Sequence, residues 1–176
     1  MKHRYTAAFL LSTMFTLPVY ADCQREAIDH DISPQRLDEA LHQLAQRSGC
    51  FIAIDPTLLA DEQAPALNGT YRPEEALWEL LKGSGWEGYP TDEGLEVSKR
   101  EQAWVEARTQ ALRETVQARD SLSEDDRMAY FQELAALEQS VSELAREQGF
   151  ISAGEHASFE RRLNELAESL ETDDQA

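Results

Sequence analysis

The sequence predicts an α+β fold, in which a duplicated strand-and-helix module is followed by an all-α region. Two observations carry this. Glu-Ala-Leu, six residues, then Ser-Gly occurs at 39–49 and again, 36 residues on, at 75–85; each copy has a proline upstream (Pro34, Pro73) and an apolar or aromatic run after the glycine. One supersecondary unit repeated at a fixed spacing describes two βαβ-type units, an arrangement used more often for binding than for catalysis. From Lys99 onward proline disappears and Ala, Glu, Gln and Leu dominate, which is helix composition.

The elements follow in order. Residues 27–32 alternate Ala27, Ile28, Asp29, His30, Asp31 and Ile32, the period of a half-buried strand. Ser33 then offers a helix cap and Pro34 a first helical position, where a missing N–H costs little. Leu37, Ala40, Leu41, Leu44 and Ala45 recur at three and four residues, giving one buried face, and Gly49 can close the helix in the left-handed conformation. The apolar run 50–54 reads as a buried strand, ended by Asp55 and Pro56. An apolar turn at 58–60 and a polar run at 61–63 lead to an edge strand, 65–71, bent at Gly69. The second helix begins near Pro73, buries Ala76, Leu77, Leu80 and Leu81, and breaks at 83–85. Strands at 86–89 and 95–97 flank a turn at 92–94, a hairpin.

Three helices are expected beyond residue 99. The first, about 100–119, has Trp104, Val105, Ala111, Leu112 and Val116 as its less polar positions. The second is capped by Ser123, carries Glu124, Asp125 and Asp126 in its first turn, and shows Tyr130, Leu134, Leu137, Val141 and Leu144 at steps of four and three before Gly149 ends it. The third opens with a capping box, Ser152 and Glu155, and buries Phe159, Leu163, Leu166 and Leu170. Short connections make these antiparallel neighbours in a helical hairpin or small bundle. The apolar seams can be satisfied within one chain or can serve self-association or a partner.

Residues 1–21 have the three parts of a secretory signal: Lys2, His3 and Arg4, an apolar stretch at 7–17, and the small-residue site Val19-Tyr20-Ala21. The mature chain then begins at Asp22; a lipid anchor at Cys23 is disfavoured by Asp22 before it. No other segment has the length and apolarity of a membrane span. The formal net charge is −18, and loss of the leader removes basic residues only. Such a surface repels nucleic acid and anionic lipid and attracts a basic protein face, although acidity also simply keeps an exported protein dissolved. Export places Cys23 and Cys50 where disulfides persist. If the first two strands form a parallel pair joined by one helix, both cysteines sit at one end of the sheet, and a structural Cys23–Cys50 bridge is expected.

The run Ile32-Ser33-Pro34-Gln35, Leu37, Glu39-Ala40-Leu41, Leu44-Ala45, Ser48-Gly49, then Ile52, Ile54-Asp55-Pro56, then Leu67, Gly69, Tyr71, Pro73-Glu74, Ala76-Leu77, Leu80-Leu81 and Gly83-Ser84-Gly85-Trp86 resembles the short amino-terminal domain of secretins and TonB-dependent transducers, in order and spacing. The resemblance covers 22–99 and implies a periplasmic domain with two helices between two small sheets. In transducers that domain passes a signal to a membrane-bound regulator; in secretins it docks inner-membrane components. The region 100–176 reads as helical, not as a barrel or secretin ring domains, so only docking is expected to carry over from the resemblance.

Little in the chain provides catalytic material. His30, His42 and His156 read as surface or hydrogen-bonded side chains, and no nucleophile elbow, zinc-protease or phosphate-loop pattern occurs. Glu124, Asp125 and Asp126 are a helix start and lack calcium-loop geometry. No catalytic residue, metal ligand or cofactor is expected. Trp78 falls between core positions of its helix and is either an exposed partner contact or a rim residue packed on the carboxy-terminal helices. The expected function is a non-enzymatic periplasmic interaction module, an adaptor to a secretin, a TonB-dependent receptor or an inner-membrane regulator, possible also at the outer membrane. The alternative is a structural protein whose carboxy-terminal helices make a homo-oligomer.

Overall fold

The computed structural model describes residues 23–59 and 61–173. The expected leader at 1–21 lies outside them. Strand β1 (Ile28–Ile32) pairs antiparallel with β5 (Leu67–Tyr71), Ile28 facing Tyr71 and Ile32 facing Leu67. A second sheet has the order β3 (Phe51–Ala53), β7 (Gly94–Ser98), β6 (Glu87–Pro90), with β3 parallel and β6 antiparallel to the central strand. Helix α1 (Leu37–Ser48) touches β1 on one side and β3 on the other, and α2 (Pro73–Leu81) likewise touches β5 and β6. The two repeated helices therefore lie between the sheets. Their stripes, Leu37, Ala40, Leu41 and Leu44 with Ala76, Leu77, Leu80 and Leu81, meet Ile32, Leu67, Leu95 and Val97 in one core.

Three local expectations give way to longer-range pairing. The first helix starts at Leu37 rather than at Pro34, because Gln35–Arg36 forms β2, paired with β4 (Gln63–Ala64), and the Leu37 amide donates to the Glu62 carbonyl at 2.9 Å. Gln35 and Arg36, whose amides a Ser33 cap would have served, are thereby taken into a strand. The second correction concerns β1 and β3, which are not a parallel pair: they belong to different sheets. Third, β3 is not a buried strand. It sits at a sheet edge with one neighbour, so Phe51 stays 64% exposed while Cys50 before it is buried.

Cys23 and Cys50 are bridged all the same. The chain ahead of β1 is laid against the end of α1, where the Gln24 amide donates to the Ser48 carbonyl at 2.9 Å. Gly49 ends α1 with φ of 69°, and that turn delivers Cys50 to the same place.

Helices α3 (Arg100–Ala118), α4 (Glu124–Gln148) and α5 (Ala153–Asp173) form a bundle whose predicted seams face inward; Val105, Val116, Leu134, Val141, Leu163 and Leu170 are all buried within the single chain. The Ser123 hydroxyl accepts from the Asp126 amide at 3.1 Å, and Ser152 and Glu155 cap α5 reciprocally at 2.8 and 3.3 Å. No helix among the described residues is long and apolar enough to cross a membrane.

Candidate docking site

The bundle is fastened to the second copy of the repeat and leaves the first copy open. Glu87 on β6 is fully buried at the amino terminus of α3, and its carboxylate accepts from the Glu101 and Gln102 amides at 3.0 Å, from the Gln102 side chain at 2.9 Å and from the Tyr89 hydroxyl at 3.0 Å. A buried carboxylate survives because every lone-pair direction finds a donor, two of them at the positive end of a helix. Burial, with the Glu87 charge beside it, drives the Tyr89 phenol far above its ordinary pKa and keeps it a hydroxyl donor. Arg100 lies over the Tyr89 ring, 3.6 Å from its centroid.

The α4–α5 elbow closes over α2 and β6. The Gly88 amide donates to the Gly149 carbonyl at 2.7 Å, the Gly83 amide to the Arg146 carbonyl at 2.8 Å, and the Ile151 amide to the Tyr89 hydroxyl at 3.3 Å. Trp78 is not an exposed aromatic: its ring stacks on Phe150 at 4.3 Å and its indole N–H donates to the Gly88 carbonyl at 2.9 Å. It takes the rim role, and its exposure as a partner contact is corrected, because the elbow that covers it comes from 72 residues further along the chain, beyond any local pattern. Gly149 has φ of 78°, and a Cβ there would approach the Trp78 carbonyl oxygen to 2.5 Å. Only glycine fits both the turn and the close approach.

The equivalent face of the first copy carries no such cover among the described residues. Between α1, β3 and the 3-10 turn Pro56–Leu59 lies a groove of about 690 Å³, with Leu41, Ala45, Ile52 and Leu59 among its apolar lining. Phe51 stands at its edge, and Leu58 nearby is 60% exposed. Asp38 and Glu39 also line it, and no Lys or Arg does among the described residues. Arg36 grips Asp38 through two contacts of 3.0 and 2.6 Å and holds its carboxyl below the usual range. At the far end the Thr57 hydroxyl and amide both donate to Asp55, at 2.7 and 3.0 Å, which holds that carboxyl low and sets the turn after β3. An edge strand beside an apolar groove can take up an extended segment by backbone pairing and accept its side chains.

Of the residues singled out in the sequence, Cys23 and Cys50 meet beside this groove, which Cys50 helps to line, while Trp78 lies on the other copy. The sequence reading missed Phe51 and Leu58 as surface. Their apolarity pointed inward, and only the strand order reveals the edge. His42 is exposed and contacts Gln46 at 2.8 Å, and His156 meets Glu101 at 2.6 Å. His30 departs from expectation: it is 4% exposed and neither ring nitrogen has a hydrogen-bond partner among the described residues, so burial pushes its pKa down.

No family model matches the chain. Over 75 residues, 43% of this chain, it is 28% identical to the ferripyoverdine receptor of Pseudomonas aeruginosa, of which it covers 9%. This is homology to the amino-terminal region of a TonB-dependent receptor, at low identity. The crystal structure of that outer-membrane receptor bound to ferripyoverdine aligns over 42% of this chain and 10% of its own, with 25% identity and a TM-score of 0.40.

Proposed function

We propose that the chain is a non-catalytic docking module of the cell envelope, an adaptor that joins an outer-membrane signal-relay or secretion assembly through the α1–β3 face. The observation that carries this reading is the contrast between the two edges of one sheet: β6 is covered by the chain's own elbow, whereas β3, with Phe51 exposed beside an apolar groove, is left open. Homology to part of a TonB-dependent receptor supports a signalling or docking role. The Cys23–Cys50 bridge supports an oxidising compartment, in keeping with export to the periplasm.

The test is site-specific photo-crosslinking in the native host, with a photoreactive side chain at Phe51 or, as a control, at Met128, which is 50% exposed on α4. A discrete adduct with an envelope protein at Phe51 and none at Met128 is expected. The same adducts at both positions, or none at Phe51, would contradict the assignment.

A further inference from the structure

The internal repeat relates the open groove to the covered face of the second copy. His42, Ala45 and Ile52 line it, and 36 residues on stand Trp78, Leu81 and Gly88. Those three are the positions that hold the elbow. Phe150 lies flat on Trp78, Gly149 packs against the Trp78 backbone and the Leu81 Cβ, and the Gly149 carbonyl accepts from Gly88 on the sheet edge. On the second copy, then, the location between helix and edge strand is filled by an aromatic ring together with a backbone acceptor. The first copy presents the same location with no occupant among the described residues.

Charge selects what brings such a ring. The ionisable carboxylates lining the groove are Asp38 and Glu39, and no Lys or Arg lines it among the described residues. Asp38 already has Arg36, whereas Glu39 is exposed and joins no ion pair among the described residues. A second copy of this chain brings the same net charge of −18 and is repelled. We infer that the α1–β3 groove receives an aromatic side chain, next to a small residue, on a positively charged segment of a different protein; this rests on the docking reading and specifies its partner.

The test uses the full chain and fluorescein-labelled synthetic peptides of about twelve residues with Gly-Phe at the centre and Lys on both flanks. One control replaces Phe by Ala and another replaces every Lys by Glu. Binding is read by anisotropy and located by amide chemical shifts. The cationic aromatic peptide is expected to bind and to shift residues 51–54 and the exposed face of α1. Each control peptide should weaken binding about tenfold or more, as should Glu39→Lys or Phe51→Ser in the chain, both at exposed positions where folding is retained. Equal binding of the Glu peptide or of the ring-less peptide at the same residues would leave β3 a docking edge and overturn the assigned chemistry. Binding of no peptide would likewise overturn that chemistry, the crosslink at Phe51 then reporting separately on docking. Shifts that avoid 51–54 would overturn the site as well. A dimer in sedimentation that Phe51→Ser dissolves would overturn the claim of a different protein.

Discussion

The first copy of the repeat, α1 with β3, and the second, α2 with β6, contribute matching stripes to one core, yet their outer faces meet different surroundings. Around β6, a buried carboxylate, two stacked aromatics and backbone hydrogen bonds to the elbow bind the module to the helical bundle. Around β3 the corresponding edge ends in an exposed phenylalanine and an acid-lined groove. Duplication supplied two similar edges. One holds the chain's own helices, and the other, uncovered among the described residues, is the edge proposed above for a partner; apolar surface left on an edge strand otherwise invites aggregation.

The contrast can be tested by perturbing each side. The largest effect is expected on the first copy, where the bridge supports the groove: replacing both Cys23 and Cys50 by Ser should cost about 3.5 kcal/mol in urea unfolding, given a loop closed over a separation of 27 residues. A loss below 1 kcal/mol would mean that the segment before β1 is not held by the bridge. On the second copy Glu87→Ala should cost about 3 kcal/mol, because it leaves the donors of Gln102, Glu101 and Tyr89 without their acceptor. A calorimetric trace in which the bundle and the module then melt separately would show that Glu87 joins them.

His30 predicts a smaller, pH-dependent effect. Burial depresses its pKa from the ordinary 6.5, so the unfolded chain binds the proton first. Its contribution is complete above that value and is lost as pH falls below it, at no more than about 1.4 kcal/mol per pH unit. Unfolding of the wild type and of His30→Leu, compared between pH 7 and pH 5.5, should show a steeper decline in the wild type; parallel curves would refute a buried neutral imidazole. Smallest of all, Phe51→Ser should change stability by less than about 0.5 kcal/mol, since its side chain is already in water. A larger loss would place Phe51 in the core and remove the asymmetry.

Short-range features were legible in the sequence. The apolar stripes of α1 and α2, the glycine that ends α1, and the caps at Ser123 and Ser152 depend on residues three or four apart, and the structure has each of them. Strand partners were not legible. Nothing local says that β1 pairs with β5 instead of β3, or that Gln35 and Arg36 prefer β4 to a helix start. The candidate site suffered for the same reason. For Trp78 exposure and a rim role stayed open because Phe150 was unseen, and Phe51 looked buried because a missing sheet neighbour leaves no trace in an apolar run. The Cys23–Cys50 pairing was expected, yet for the wrong topology.

Amide hydrogen exchange on the free, intact chain tests the asymmetry of the two edges most directly. The account predicts slow exchange along 87–89, where Gly88 is bonded to the elbow, and exchange faster by about two orders of magnitude for the outward amides of 51–53. Equal protection of the two strands would mean that β3 is covered as β6 is, and the open docking edge would not exist.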